Sequence, residues 1–179
     1  MSILNATFID LIPKPSKSED PQGFRPIVLS NVIYKIIATM IFKCLKPLLP
    51  NLISPEQTGF VEWQQVIDGF VTSQEIVHSI KHHKLSGMMI KLDLSKYYNR
   101  LSWDYLNNVL KSFGFDQRWI NWISSMVSSH VFSIILNGSP SHTFNPSCGL
   151  FQGDSISPFI FIIVAEGLGR YLKNEAKSS

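Results

Sequence analysis

Two groups of residues in this sequence have types and spacings that could support metal chemistry. Asp93 follows an apolar alternating segment, and a carboxylate is the hard ligand that Mg²⁺ prefers. His78 and His82 are four residues apart, with His83 beside them, but no third ligand is evident for zinc. On residue type alone, a carboxylate after a strand is more often a turn or cap residue. The histidines are more simply interpreted as surface residues of a helix.

Glycine and tryptophan residues have equally plain interpretations when taken alone. Gly149 and Gly153 can be turn residues before a helix opened by Ser157 and Pro158. Trp103, Trp119 and Trp122 recur at helical spacing, which is more typical of a core than of base-stacking platforms. None of these residues identifies a function without its context.

The segment that leads to Asp93 is predicted to be a strand. Met88, Ile90 and Leu92 alternate with Met89, Lys91 and Asp93, and this period of two predicts a half-buried strand ending at the carboxylate. A helix is predicted before it, over Val71–Lys81.

The N-terminal segment predicts a hairpin followed by a helix. Strands are predicted at Phe8–Ile12 and Arg25–Leu29, joined by a loop over Pro13–Gly23. Ser30 or Asn31 can then cap a helix that stops near Pro47. Its apolar stripe at helical spacing consists of Val32, Ile36, Ile37, Met40 and Ile41.

The C-terminal half predicts two capped helices, a hairpin and an apolar helix. Ser102 caps a helix that ends at Gly114, and Asp116 opens the next. Asn137-Gly138 after Val131–Leu136 indicates a tight hairpin turn, because both residues tolerate positive φ. The order of elements indicates an α+β fold, with helices on a small, mostly antiparallel sheet.

Composition narrows the class of protein without identifying its partner. Hydrophobic residues make up 45% of the 179 residues, which suits one folded domain with a core. The longest apolar run, Phe159–Ala165, is too short to span a bilayer, and we expect neither a signal peptide nor a membrane partner. Cys44 and Cys148 suggest a reducing intracellular compartment. A net charge of +3 permits nucleic acid but does not argue for it, and nothing indicates an oligomer.

Seven short segments, taken together in this order, resemble the reverse transcriptases of non-LTR retrotransposons (LINE type), most closely the plant type. They are Leu11-Ile12-Pro13-Lys14, Phe24-Arg25-Pro26-Ile27, Tyr34-Lys35-Ile36-Ile37, Leu45-Lys46-Pro47, Ile53-Ser54-Pro55-Glu56-Gln57, Lys91-Leu92-Asp93-Leu94-Ser95-Lys96 and Gln152-Gly153-Asp154. The likeness runs from about Leu4 to Arg170. It implies a partial right-hand polymerase in one domain over 1–179, with residues 1–86 mainly fingers, 87–179 palm, and the thumb absent.

The resemblance assigns candidate roles to individual residues. Asp93 matches the family's first metal-binding and catalytic aspartate, and the backbone carbonyl of Leu94 would face the second Mg²⁺. Lys14 and Arg25 resemble the pair that holds the incoming triphosphate; an ordinary solvated loop pair is the alternative.

Three further matches concern the rest of the nucleotide pocket. Tyr98 matches the aromatic residue that excludes a 2′-hydroxyl, with a core tyrosine as the alternative. Gln152 and Gly153 match residues that pass close under nucleotide and template. The implied partners are an RNA template, a DNA primer and deoxynucleoside triphosphates.

Departures from the family pattern bear on activity. The family places two adjacent aspartates downstream of the Pro158 helix, whereas none of the seven aspartates here adjoins another. Tyr97 replaces a small alanine, and we expect its ring to crowd the nucleotide pocket. Further differences are Asn99 for aspartate, Cys148 and Phe151 for arginines, Ser155 for proline, and Phe60–Gln64 where Pro-Gly-Arg is usual.

The matches and departures leave three hypotheses. The favoured one is a polymerase fragment that cannot itself polymerise DNA. The second is part of an enzyme completed by a longer chain or a partner. The third, of a different class, is a nucleic-acid-binding module without catalysis.

Overall fold

The computed structural model describes residues 6–13, 23–29, 31–57, 65–90, 97–151 and 153–178. Its elements alternate between a small sheet and a set of helices. In chain order they are β1 (Ala6–Pro13), β2 (Phe24–Leu29), α1 (Val32–Leu45), a 3₁₀ turn (Lys46–Leu48), α2 (Leu49–Leu52), α3 (Val66–His82), α4 (Tyr97–Arg100), α5 (Trp103–Ser112), α6 (Gln117–Ser128), β3 (Val131–Leu136), β4 (Ser139–Pro140) and α7 (Ser157–Ser178).

The four strands form one mixed sheet in the order β2-β1-β3-β4. β1 and β2 are antiparallel, with Ile12 opposite Arg25, and so form the predicted N-terminal hairpin. β1 and β3 are parallel, with Ala6 opposite Val131, and β3 and β4 are antiparallel. Two of the three pairings are therefore antiparallel, and the parallel one joins distant parts of the sequence.

Local capping signals set the ends of the long helices. The side chains of Asn31, Ser102 and Asp116 each accept a hydrogen bond from a backbone N–H in the first turn of α1, α5 and α6. Gly114, at φ 80°, follows α5 in the left-handed conformation common after a helix end. Asn137 and Gly138, at φ 51° and 78°, make the β3–β4 turn. These predictions from sequence are confirmed.

The main core lies between helices rather than between helices and the sheet. Its fully buried members include Ala38, Leu106, Ile123 and Val164, from α1, α5, α6 and α7. A side chain at Gly167 on α7 would put its Cβ 2.9 Å from Val109 on α5, so glycine permits this close helix packing. The sheet adds few buried residues; they are Thr7, Phe132 and Ser133.

A polar network fixes α7 against the segment that follows α2. Ser54 donates a 2.7 Å hydrogen bond to buried Glu166, which also pairs with Arg170 at 3.0 Å. Arg170 donates to the backbone carbonyl of Leu52 at 2.6 Å and lies 4.4 Å from the ring centre of Phe113. Because its partners come from three parts of the chain, this network fixes the orientation of α7.

The predicted strand over Met88–Asp93 is wrong in the part that the structure describes. Residues 85–90 form no regular element, and Met88, Met89 and Ile90 are 82%, 53% and 65% exposed. Alternation alone does not make a strand, since each strand needs a neighbour to satisfy its backbone groups. Residues 91–93 lie outside the described residues.

Two further outcomes concern surface helices. His78, His82 and His83 are exposed, as predicted, on and just after α3, which is longer than the predicted Val71–Lys81. Trp103 and Trp119 pack against the core, but Trp122 is 52% exposed.

In the described part of the chain, no helix combines the length and apolarity that a bilayer crossing requires.

Candidate functional site

Several of the predicted site residues lie outside the described part of the chain. They are Lys14, Asp93, Leu94 and Gln152. Arg25 lies on β2 opposite Ile12, but nothing is described of its side chain. The proposed triphosphate pair and the proposed metal ligands therefore remain predictions, and only Tyr98 and Gly153 can be examined in full.

Tyr98 and Gly153 line the same cavity, of about 250 Å³. Phe151, Asp154 and Pro158 complete its described lining. The two residues are 55 positions apart in sequence and come from α4 and from the loop before α7. The fold thus brings together two of the residues that the sequence assigned to nucleotide binding, although their role is not tested by their proximity.

Backbone hydrogen bonds connect the two walls of this cavity. The Leu150 N–H donates to the Tyr98 carbonyl at 2.6 Å, and the Gly149 N–H donates to the Leu101 carbonyl at 2.8 Å. The indole N–H of Trp103 donates to the Gly149 carbonyl at 2.9 Å. Because three bonds join residues 98–103 to residues 149–150, Tyr98 and the loop form one fixed unit.

Gly149 and Gly153 require glycine for different reasons. Gly149 has φ 94°, and a Cβ there would lie 2.9 Å from the Asn99 carbonyl oxygen. Gly153 has φ 101°, but a Cβ there would meet no atom of the described residues within 4 Å. Conformation alone therefore requires glycine at 153, and the space beside it is open to a ligand.

The rings of Tyr98 and Tyr97 both pack against Phe161 on α7. Tyr98 stacks on Phe161, with ring centres 4.9 Å apart and planes at 12°. Tyr97 meets Phe161 edge-on, with ring centres 5.3 Å apart and planes at 82°, and it also lines a groove of about 850 Å³ beside α5 and α7. Tyr97 is not among the described residues that line the cavity at Tyr98 and Gly153, and the expectation that its ring crowds the nucleotide pocket stays a prediction.

A buried hydrogen bond from α1 also holds the loop before α7, and the sequence analysis missed it. The Tyr34 hydroxyl on α1 donates to Oδ2 of Asp154 at 2.8 Å, and both residues are buried. Burial, reinforced by the Asp154 carboxylate, raises the pKa of Tyr34 well above its usual value. Burial also raises the pKa of Asp154, although hydrogen bonds from Tyr34 and from the backbone of Ser155 and Ile156 oppose the shift.

His130 is buried against the same cluster. It is 1% exposed, and its ring centre lies 4.6 Å from that of Tyr34 and 3.6 Å from that of Phe151. Neither ring nitrogen makes a well-formed hydrogen bond with a described residue. Burial lowers the pKa of His130 to about 4, and the Met126 backbone only partly offsets this effect.

The described residues do not by themselves make a metal site. Among them, no three histidine, cysteine, aspartate or glutamate side chains come together. Asp154 is the carboxylate at the cavity, and its two oxygens accept hydrogen bonds from Tyr34 and Ile156. The predicted metal ligands, Asp93 and Leu94, lie outside the described range.

Comparisons with known proteins match most of the chain. A family model described as reverse transcriptase (RNA-dependent DNA polymerase) matches residues 12–178. The chain is 25% identical over 158 residues to the transposon TX1 uncharacterized 149 kDa protein of Xenopus laevis, covering 88% of this chain and 12% of that protein. It is 28% identical over 169 residues to the retrovirus-related Pol polyprotein from type-2 retrotransposable element R2DM of Drosophila melanogaster, covering 92% and 15%.

A third relative comes from another insect. The chain is 24% identical over 159 residues to the retrovirus-related Pol polyprotein from type-1 retrotransposable element R2 of Popillia japonica, covering 88% of this chain and 22% of that protein. The chain thus spans between 12% and 22% of the length of these three relatives. All three come from animals, so the plant-type part of the resemblance stays a prediction.

Proposed function

Because this chain belongs to the reverse transcriptase family and its relatives are Pol proteins of non-LTR retrotransposons, we propose that it forms the fingers and part of the palm of an RNA-directed DNA polymerase. In this proposal residues 1–86 are mainly fingers and residues 87–179 are palm. The observation that carries the proposal is the cavity shared by Tyr98 and Gly153. The protein would act inside the cell, on an RNA template and a DNA primer.

The proposed roles follow from the chemistry of each residue. Lys14 and Arg25 hold the triphosphate through positive charge, and arginine can bind two phosphate oxygens at once. Tyr98 lies against the sugar, where its ring excludes a 2′-hydroxyl. Gln152 and Gly153 admit the nucleotide and template close to the backbone, consistent with the open space beside Gly153.

The proposed metal chemistry depends on one carboxylate. Reverse transcriptases use divalent metal ions, which activate the primer hydroxyl and neutralise the triphosphate. Asp93 and the Leu94 carbonyl are the residues of this chain that we propose as Mg²⁺ ligands. The chain contributes oxygen donors, which suit this hard cation.

Nucleotide binding at the shared cavity tests the proposal. We expect Gly153→Val to abolish saturable binding of Mg²⁺·dATP, because the new side chain would fill the open space beside the loop. Gly114→Val is the matched control: Gly114 also has a positive φ, 80° against 101°, and a Cβ there also has no described atom within 4 Å. Calorimetry on both variants separates loss of the site from backbone strain. Equal affinity in wild type and Gly153→Val, or no binding by the wild type, would contradict the proposal.

Polymerisation by these 179 residues alone is not expected. The seven aspartates include no adjacent pair, and a single carboxylate does not hold two magnesium ions against water. Primer extension on an RNA template, with Mg²⁺ or Mn²⁺, should therefore give no product. Extension that disappears in Asp93→Asn would show that the missing ligands are supplied within this chain.

The second candidate is a nucleic-acid-binding module, which the net charge of +3 permits but does not favour. Such a module should bind an RNA–DNA hybrid with an affinity that falls steeply as salt rises, because phosphate contacts release counterions.

A further inference from the structure

Gly153 lies between two anchored positions of the loop before α7. On the side before it, the Leu150 N–H donates to the Tyr98 carbonyl at 2.6 Å. On the side after it, the Asp154 carboxylate accepts a hydrogen bond from Tyr34 on α1. A Cβ built at Gly153 itself would meet no described atom within 4 Å. The position of Gly153 therefore depends on the contacts that hold its neighbours.

The second anchor consists of two polar contacts from α1. The Tyr34 hydroxyl donates to Oδ2 of Asp154 at 2.8 Å, and the hydroxyls of Thr39 and Ser155 are 3.3 Å apart. Tyr34 and Asp154 are 5% and 6% exposed, so their bond is largely shielded from water. A hydrogen bond to a carboxylate in such surroundings is stronger than one between neutral groups. The Tyr34 bond is therefore the stronger of the two contacts.

The Asp154 carboxylate is held by neutral donors. Its described partners are the Tyr34 hydroxyl and the backbone N–H groups of Ser155 and Ile156, and no lysine or arginine of the described residues is among them. The same side chain lines the cavity of the candidate site. Because a buried anion that loses a donor favours a better-solvated position, the open cavity beside Asp154 is where its carboxylate would turn.

We propose that Tyr34 is a positioning residue of the candidate site, whose hydroxyl holds the Asp154 carboxylate against α1 and away from an incoming triphosphate. This inference rests on the proposed function, since it concerns a nucleotide at the cavity. Without the hydroxyl, the carboxylate turns into the cavity, where its negative charge opposes the phosphates. The loop at Gly153 shifts with it, because Gly153 is the preceding residue.

Calorimetry with Mg²⁺·dATP at about pH 8, where a carboxyl group is ionised, tests the role of the charge. Tyr34→Phe should weaken binding about tenfold. Tyr34→Phe/Asp154→Asn should restore most of the affinity, because the amide has the size of the carboxylate without its charge. Tyr171→Phe, at a tyrosine that is 61% exposed, is the matched control and should bind like the wild type.

The double variant separates positioning of the charge from a merely structural role. A structural role gives no rescue, because Asp154→Asn restores no contact that Tyr34→Phe removed. Unchanged affinity in Tyr34→Phe, or a double variant that binds no better than Tyr34→Phe, would overturn the proposal.

Amide hydrogen exchange without nucleotide tests the same contact independently of the proposed function. In Tyr34→Phe the amides of Ser155 and Ile156, which bond to the Asp154 carboxylate, should exchange about tenfold faster. The Leu150 amide should keep its rate. Unchanged exchange at Ser155 and Ile156 would overturn the positioning role. A wild type that binds no nucleotide, with exchange responding as expected, would refute the proposed function but support the hold of Tyr34 on the loop.

Discussion

Gly149, Gly153 and His130 show how single residues shape the candidate site. Both glycines have left-handed φ values, but only Gly149 is pressed against a neighbouring backbone, the Asn99 carbonyl. His130 is uncharged because its ring is buried among aromatic residues. Gly149 packs closely against a neighbouring backbone, whereas Gly153 requires glycine because of its φ angle. His130 packs as a neutral ring against Tyr34 and Phe151.

The buried imidazole predicts a pH dependence of stability. The pKa of His130 is lowered from 6.5 to about 4, so below pH 6.5 the unfolded chain binds a proton that the folded chain does not. This contribution to stability is present above pH 6.5 and is lost as the pH falls toward 4, by about 3 kcal/mol in total. Urea unfolding at pH 7 and pH 5 measures it.

Two variants isolate the histidine from carboxylates that titrate in the same range. His130→Phe should lose less stability than the wild type between pH 7 and pH 5, since it removes only this proton. His142→Phe, at an exposed histidine, should follow the wild type. If His130→Phe and wild type lose stability in parallel, His130 is not buried as a neutral ring.

Candidate site residues could be selected from the sequence only where a motif carried them. The resemblance selected Tyr98 and Gly153, which the fold brings to one cavity. It did not select Tyr34 or His130, because their burial depends on packing between α1, the β3 region and the loop. A tyrosine on the side of α1 opposite its apolar stripe was the available signal for Tyr34.

Helix α1 connects the sheet to the loop of the candidate site. It starts three residues after β2 ends, and Tyr34 and Thr39 contact Asp154 and Ser155. The Thr39 and Ser155 hydroxyls are 3.3 Å apart, one turn along from the Tyr34–Asp154 bond. A displacement of α1 would therefore move the loop that carries Gly153.

The Tyr34–Asp154 bond should be measurable as a coupling energy. Tyr34→Phe should destabilise the protein by about 1–3 kcal/mol, because it leaves a buried carboxyl oxygen without its donor. In a double-mutant cycle with Asp154→Ala, the second change should cost much less once the first is made. Tyr171→Phe, at a tyrosine that is 61% exposed, serves as the control. Additive losses in urea unfolding would mean that the bond contributes nothing.

Elements were predictable where their signals were local. Caps at Asn31, Ser102 and Asp116 and the Asn137-Gly138 turn lie within a few residues of what they specify. The parallel pairing of β1 with β3 joins segments more than 100 positions apart, and no local pattern indicates it. The stripe on α1 predicted the helix correctly, but that face is exposed and Tyr34, Ala38 and Leu45 face the core instead.

The whole molecule combines a well-packed helical core with surfaces that lack cover. The core holds α5, α6 and α7 together, whereas α3 and residues 88–90 make few buried contacts. The chain spans 12–22% of the length of the three relatives. The cavity at Tyr98 and Gly153 is held to this core through Phe161, on which Tyr98 stacks, and through the Tyr34–Asp154 hydrogen bond.

The most direct test of the account is the position of a metal–nucleotide complex on the folded chain. Mn²⁺·dATP, added to isotope-labelled protein, broadens the NMR resonances of nearby residues because the ion is paramagnetic. We predict selective broadening of the Tyr98 and Gly153 amides, and its loss in Asp93→Asn. Broadening that centres elsewhere, or that persists in Asp93→Asn, would contradict a polymerase nucleotide site in this fold.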